Sequence, residues 1–90
     1  MKQINSNLLK MEKGTATQSV AASSNNQVAI TFSKTYSAAP LVMATLNADG
    51  TLSDTSCAVR NVTTTGFTLY LRNAGSGTQT VSANWGVVGL

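Results

Sequence analysis

Side chains able to do acid–base or nucleophilic chemistry are scarce in this chain. Its 90 residues contain no His and only three carboxylates, those of Glu12, Asp49 and Asp54. General acid–base catalysis needs a group that titrates near neutrality, most often His, or two carboxylates held together. Asp49 and Asp54 could meet across one loop, but an Asp-Gly turn already accounts for Asp49. We therefore expect the chain not to be an enzyme.

Cys57, the single cysteine, excludes a disulfide within one chain. It falls in a predicted strand with apolar neighbours, where cysteine acts as a small hydrophobic residue. A nucleophilic Cys would need a neighbouring base, and no His is present to supply one. The sequence also shows neither a glycine loop for phosphate nor a metal-ligand spacing, so no cofactor and no metal are expected.

Contact with sugars is a different chemistry, and the predicted loops offer the residue types for it. Arg, Asn and Asp side chains donate to and accept from sugar hydroxyls, and aromatic rings stack on sugar faces. For Tyr36, a packing role explains the residue equally well. For Arg72 and Asn73, the alternative is that they form a solvated strand end before the glycine-rich turn. The candidate glycan contacts are Tyr36, Asp49, Asp54, Arg72 and Asn73.

Charge is sparse, at 10% of residues, where an average domain has roughly 25%. The net charge of +3 comes from scattered Lys and Arg, whereas a nucleic-acid surface needs a basic stripe with aromatics between. We expect no nucleic-acid partner. Because a domain this small folds only marginally alone, and disulfides and metals are excluded, oligomerisation is the expected source of further burial.

Targeting signals are not visible in the sequence. Residues 1–5 lack the apolar run of a signal peptide, and no stretch approaches the roughly 20 apolar residues of a membrane helix. We expect a protein made in the cytoplasm that does not insert into membranes. Residues 1–7 are predicted to be a polar tail or linker stub, and residues 8–90 a single domain, with a short helix over Ile4–Met11 as the alternative.

Period-two alternation of apolar and polar residues predicts strands along most of the chain. Turn signals separate them at Ser23–Asn26, Asn47–Gly50, Thr63–Gly66 and residues 73–77. In the third of these turns, a tight hairpin connection, Gly66 can take a positive φ. Six strands at this spacing indicate an antiparallel sandwich or barrel. The predicted core consists of Val28, Ile30, Phe32, Val59, Phe67, Leu69, Leu71, Val81, Ala83, Trp85 and Val87.

Four segments in order give the chain a family resemblance. They are residues 30–32 (ITF), 39–42 (APLV), 62–67 (VTTTGF) and 81–89 (VSANWGVVG). The chain resembles the H-type lectin domain over roughly residues 14–90, most of all the versions found in bacteriophage tail-fibre and other virion structural proteins. The resemblance implies an all-β, six-stranded antiparallel β-sandwich that assembles as a trimer, with sugar bound near the subunit boundaries.

The family's sugar site does not carry over residue by residue. The position of the family's arginine, eight before Gly66, is Ala58 here, and Arg60 lies two residues further with the same strand parity. The family's aromatic and His pair after the hairpin corresponds to the region of Asn73–Gly75, which has neither type. The resemblance therefore supports the fold more than it supports sugar binding.

Two functions remain after these observations. The first is a trimeric, non-enzymatic structural module of a phage virion, in a tail fibre, baseplate or head decoration, with other virion proteins as partners. The second is an adhesive module that recognises glycans on the host surface through loops 47–54 and 72–78. A fibre tip can combine both, and either function places the protein in the virion.

Overall fold

The computed structural model describes residues 9–47 and 54–90. These form six strands and no helix, which confirms the all-β prediction. No helix in this part of the chain could therefore cross a membrane. The strands are β1 (Lys10–Val20), β2 (Ser24–Thr31), β3 (Leu41–Leu46), β4 (Thr55–Arg60), β5 (Gly66–Asn73) and β6 (Gln79–Gly89).

The strands form two three-stranded sheets, in the orders β1-β6-β3 and β2-β5-β4, and every pair is antiparallel. The two sheets pack face to face as the predicted six-stranded sandwich. Side chains alternate between the interior and the outer face of each sheet, as the two-residue period of a strand requires. Each sheet therefore presents one outer face, and the two outer faces lie on opposite sides of the molecule.

The interior is the predicted one with additions. All eleven predicted core residues lie in the buried cluster or pack against it, and Leu69, Leu71 and Ala83 are wholly inaccessible. Three further buried hydrophobic residues, Ala16, Val20 and Tyr36, were not in the predicted core. Trp85 faces inward, with its ring edge-to-face on Phe67 at 5.5 Å between centroids, so its predicted core role is confirmed.

Two glycines allow close approaches across the strands. Gly14 lies opposite Trp85 in the β1–β6 register, and a Cβ on Gly14 would collide with the indole ring. A Cβ on Gly66 would collide with the carbonyl oxygen of Ile30. Gly66 does not use the positive φ that glycine allows, since no glycine of the described residues has one. Gly66 is needed for space, and Asn61 supplies the left-handed conformation in this hairpin with a φ of 56°.

The hairpin between β4 and β5 is closed by Thr63. Its hydroxyl accepts from the backbone N–H groups of Thr65 and Gly66, both at 3.2 Å. The Thr63 backbone N–H donates to the Gly66 carbonyl at 2.9 Å. A threonine in this place acts as a local turn former, since its hydroxyl bonds to the backbone that follows it.

Other predicted boundaries need correction or lie outside the described residues. The turn expected over Ser23–Asn26 is too long, because β2 already begins at Ser24 and only Ser23 has a left-handed φ, of 53°. The helix considered over residues 4–11 is wrong where it can be checked, since Lys10 and Met11 belong to β1. The tail at residues 1–7 and most of the turn at Asn47–Gly50 fall outside the described residues.

Candidate functional site

Tyr36 is buried, with 2% of its surface exposed. Its ring packs edge-to-face on Phe32 at 5.2 Å, and its hydroxyl donates to Glu12 Oε2 at 3.0 Å. Burial, together with the hydrogen bond to Glu12 and that group's charge, raises the Tyr36 pKa above its ordinary value. The ring offers no face to a sugar, so a stacking role for Tyr36 does not fit this structure.

Glu12 of β1 holds the segment that leads from β2 to β3. Its Oε1 accepts from the Ser33 backbone N–H at 2.9 Å and the Ser33 hydroxyl at 3.2 Å. Its Oε2 accepts from the Lys34 backbone N–H at 3.3 Å as well as from Tyr36. Burial alone would raise the Glu12 pKa, but these hydrogen bonds stabilise the charged form and lower it below its ordinary value. Glu12 is a structural anchor.

Asn73 is a fully buried polar residue at the end of β5. Its amide group donates to the carbonyl oxygens of Val20 at 3.0 Å and Gly77 at 2.8 Å. Its side-chain oxygen accepts from the Gly75 backbone N–H and from Gln79 Nε2, both at 2.9 Å. All four bonds lie within the protein, so Asn73 positions the loop at residues 74–78 and cannot contact a ligand directly.

The predicted contact residues are not brought together. Tyr36 lies at the hairpin end of the sandwich, where its backbone N–H donates to the Thr64 carbonyl at 3.1 Å. Asn73 lies at the other end of β5, near Asp54, whose carbonyl accepts from the Ala74 N–H at 2.7 Å. Asp54 is half-buried, Asp49 lies outside the described residues, and Arg72 is exposed on the surface.

Arg72 belongs to a group of outward side chains on the sheet β2-β5-β4, which we call the basic face. In the strand register Arg72 lies between Asn25 of β2 and Ser56 of β4, and Tyr70 lies between Gln27 and Ala58. Arg60 extends from β4 so that its Cζ is 5.5 Å from the centroid of the Tyr70 ring. The basic face consists of Asn25, Gln27, Ser56, Ala58, Arg60, Tyr70 and Arg72.

The predicted contact set omitted Tyr70 and Arg60. Strand parity alone places both on the outer face, since they alternate with the inward Leu69 and Val59. Their proximity depends on the β4–β5 register, in which Ala58 pairs with Tyr70 and Arg60 with Thr68. A sequence pattern does not give that register, so the pair could not be found from it.

The outer face of the sheet β1-β6-β3 is divided in two along the strands. At one end Met11, Leu41 and Met43 are 61%, 61% and 56% exposed, and Val88 lies between Met11 and Leu41 in the register. We call this region the apolar end. A shallow groove of about 300 Å³ runs through it, lined by Met11, Met43 and Gly86 among others.

The other end of that outer face is polar and internally bonded. Thr15 donates to Asn84 Oδ1 at 2.8 Å, and the hydroxyls of Thr17 and Ser82 are 2.9 Å apart. A cleft of about 430 Å³ lies beside Trp85 where the two ends meet, lined also by Lys13, Thr15 and Asn84. Cross-strand hydroxyl and amide pairs of this kind stabilise a sheet.

The potential metal ligands of the described residues lie apart from one another. Within residues 9–47 and 54–90, no three His, Cys, Asp or Glu side chains group closely enough to hold a metal ion. Cys57 is partly buried on the inner side of β4, and burial raises the pKa of its thiol. The arrangement offers contact surfaces, one apolar and one basic, on opposite sides of the sandwich.

A family model for the H-type lectin domain matches residues 27–86, which is more than half of the chain. The chain belongs to the H-type lectin domain family. The match includes the hairpin closed by Thr63 and most of β6, the segments on which the sequence resemblance depends. No curated protein sequence is significantly similar to this H-type lectin domain.

Solved structures of tail fibres share this fold. An N-truncated R1-type pyocin tail fibre is similar over 91% of this chain and 71% of its own, with 17% identity and a TM-score of 0.72. A C-terminal fragment of the P. aeruginosa R1 pyocin fibre aligns with 91% of this chain and 23% of its own, with 17% identity and a TM-score of 0.73.

A tailspike shows the same likeness. The tailspike protein gp49 of Pseudomonas phage LKA1 matches 89% of this H-type lectin domain and 15% of its own chain, with 21% identity and a TM-score of 0.72. At these identities the likeness establishes the fold. The domain spans 71% of the truncated pyocin fibre, but only 23% of the longer fibre fragment and 15% of the tailspike chain.

Proposed function

We propose that this H-type lectin domain is a non-enzymatic structural module of a phage-type tail fibre or tailspike, and that it assembles as a homotrimer in the virion. The apolar end of the sheet β1-β6-β3 is the observation that carries the proposal. Three large apolar side chains there, those of Met11, Leu41 and Met43, are each more than half exposed. Contiguous apolar surface of this kind marks an interaction site in most folded proteins.

A 90-residue chain buries little apolar surface area by itself. Burial of the apolar end in a trimer would add to that buried area. A cyclic arrangement, in which each subunit contributes the same sheet face around a three-fold axis, closes without leaving a free apolar edge. The family membership and the fibre and spike neighbours support this arrangement. The scarcity of ionisable groups supports the absence of catalysis.

The test of the trimer is the solution mass, measured by light scattering coupled to size exclusion at several concentrations. We expect three times the 9.3 kDa chain mass. Met43→Glu places a charge in the apolar end and should give a monomer. Ala29→Glu adds the same charge to the outer side of the other sheet, at an exposed position, and should leave the trimer intact. Circular dichroism verifies that both variants keep their strands.

A native chain that remains monomeric at every concentration would refute assembly through the domain itself. A Met43→Glu variant that still forms the trimer would refute the assignment of the apolar end as the contact surface. Either result is independent of whether the domain binds sugar, because the two proposed surfaces lie on different sheets.

A second candidate function is adhesion to host-surface glycans, and the basic face favours it. Arg72 is the one predicted contact residue that is exposed on a described strand, and Asn25, Gln27 and Ser56 beside it offer amide and hydroxyl groups. Asp54 stays in the proposed contact set, and so does Asp49, which lies outside the described residues. Tyr36 and Asn73 leave it because both are buried.

A glycan-binding screen of the assembled protein tests the second function. We expect binding to at least one class of bacterial-surface glycan, and a loss of that binding in Arg72→Ala. Asp49→Ala tests the loop contribution separately. Uniform absence of binding across such glycans would refute adhesion and leave the structural function standing.

A further inference from the structure

We infer that the basic face recognises the anionic group of an acidic glycan, a carboxylate or a phosphate carried on a sugar, through Arg60 and Arg72. The inference rests on the proposed glycan-binding function and names its ligand class. It uses outward residues of β4 and β5 other than the positions that correspond to the family's sugar contacts, which are Ala58 and the region of Asn73–Gly75.

Three side chains on adjacent strands form the centre of the proposed site. Tyr70 and Arg72 are two residues apart on β5 and project to the same side, which separates their Cα atoms by about 7 Å. Arg60 reaches the same area from β4, with its Cζ 5.5 Å from the Tyr70 ring centroid. In the β4–β5 register, Tyr70 therefore lies between the positions of Arg60 and Arg72.

Charge is unbalanced on this sheet. β2, β4 and β5 contain two arginines and no Asp or Glu. Of the carboxylates in the described residues, Glu12 belongs to β1 of the other sheet and is bonded to Ser33, Lys34 and Tyr36. Asp54 lies at the end of the strand, with its Oδ2 directed toward Gly75. Arg60 and Arg72 thus make no ion pair within the described part of the chain, and an external anion could meet both.

Contact with the Tyr70 ring holds the Arg60 side chain in position to bind such an anion. A guanidinium stacked on an aromatic ring keeps its N–H groups free at its rim and loses little further freedom when it binds. Arg donates two parallel hydrogen bonds to a carboxylate or phosphate, and this fork distinguishes those anions from neutral hydroxyls. Tyr70 is accordingly a positioning residue for Arg60.

The surroundings suit a sugar. Gln27 lies beside Tyr70 in the register, and Asn25 and Ser56 lie on the two sides of Arg72, so neutral donors and acceptors surround the charged pair. Ala29 and Ala58 are exposed and small. The longer side chains of Arg60, Tyr70 and Arg72 therefore project beyond the surface around them. Two arginines without a longer basic stripe favour a glycan over nucleic acid.

The experiment compares matched acidic and neutral glycans on the full chain by isothermal titration calorimetry. Polygalacturonate and its methyl ester form the carboxylate pair, and phosphomannan and its dephosphorylated form are the phosphate pair. We expect one acidic member to bind at least tenfold more tightly than its neutral partner. Whichever pair shows the difference identifies the anion.

Variants locate the site. Arg60→Gln and Arg72→Gln should each weaken binding of the acidic glycan at least fivefold. Lys34→Gln removes the same charge from an exposed residue of the segment between β2 and β3, where the Lys34 backbone N–H donates to Glu12. This control should change affinity less than twofold. Tyr70→Leu should weaken binding as Arg60→Gln does, and the double variant should be little worse than either single one, because Tyr70 acts through Arg60.

Each other outcome has a defined meaning. Equal binding of acidic and neutral glycans would overturn this inference and leave glycan adhesion standing. Binding of polyglutamate or duplex DNA as tight as that of the glycan would overturn it in favour of a general polyanion surface. Absence of binding to any glycan would overturn both the inference and adhesion, while the solution mass would still report on the trimer.

Discussion

Asn73→Asp tests whether one buried amide holds the end of the sandwich together. The substitution keeps the shape of the side chain and replaces its NH₂ group, which donates to the Val20 and Gly77 carbonyls at 3.0 and 2.8 Å, with an oxygen. Both carbonyls then lose their donor, and a carboxylate oxygen faces them at hydrogen-bond distance. The two bonds to the other side-chain oxygen, from Gly75 and Gln79, can persist.

The expected loss of unfolding free energy follows from those contacts. Each buried group left without its partner costs about 1–3 kcal/mol, so two of them cost about 2–6 kcal/mol before any penalty for burying the charge. A domain is stable by only about 5–15 kcal/mol in total. At neutral pH, Asn73→Asp should therefore lose a large part of the stability of the fold.

The same change predicts a pH dependence with a definite sign. Burial and the two nearby carbonyls disfavour the charged form, so the folded-state pKa of the introduced carboxyl should exceed its unfolded value of about 3.9. The folded protein then binds the proton more tightly, and the deficit relative to the native chain should grow as pH rises above about 4. Urea unfolding at pH 4 and pH 7, at one protein concentration, measures both quantities.

The control is Asn25→Asp, which makes the same chemical change at an exposed position of β2. It should shift stability by less than about 0.5 kcal/mol. A deficit below about 1 kcal/mol for Asn73→Asp at pH 7, or one that does not decrease toward pH 4, would refute the role assigned to this amide.

Two further predictions concern the backbone approach at the hairpin and the anchor on β1. Gly66→Ala should lower the melting temperature by several degrees, because its Cβ meets the Ile30 carbonyl oxygen, whereas Gly77→Ala, with open space around it, should have little effect; equal shifts would contradict the steric argument. The lowered pKa of Glu12 means that its contribution to stability is present above its ordinary value of 4.5 and is lost as pH falls through the folded pKa. Glu12→Gln should therefore be less stable than the native chain at pH 7 and closer to it at pH 3 in thermal unfolding, and a gap of equal size at both pH values would contradict the proposed anchor.

The sequence predicted the strands and the core well because both depend on a local rule. A side chain two residues away points to the same face, so the alternation around Leu69 and Val81 was enough to assign an interior. Applied one step further along β5, the same parity places Asn73 inward with Leu71. The residue was instead predicted as a ligand contact because it is polar and precedes a glycine-rich turn.

Tyr36 could not be placed in this way. It lies in the irregular segment between β2 and β3, where no period fixes the direction of a side chain. Its burial depends on Glu12, 24 residues earlier in the chain. Similarly, Arg60 and Tyr70 meet only through the register of two strands, and Gly66 is constrained by a carbonyl on a third strand. Contacts between distant segments, which a one-dimensional pattern does not contain, account for these differences.

The pairing of β1 with β6 sets the order in which the domain can form. These are the first and last of the described strands, in register from Lys10 with Gly89 to Val20 with Gln79. The sheet β2-β5-β4 uses only strands that lie between them in sequence, and its β4–β5 hairpin is local. Long-range pairing of this kind is slow because a large loop must close before the contacts form.

On a ribosome, the sheet that bears the basic face can therefore form before β6 has emerged. The sheet that bears the apolar end cannot, because β6 is its central strand and β1 and β3 both pair with it. The proposed trimer surface consequently exists only on a chain whose last strand is complete. Subunits cut short before β6 would lack the proposed assembly surface, so the topology would keep unfinished chains out of the proposed trimer.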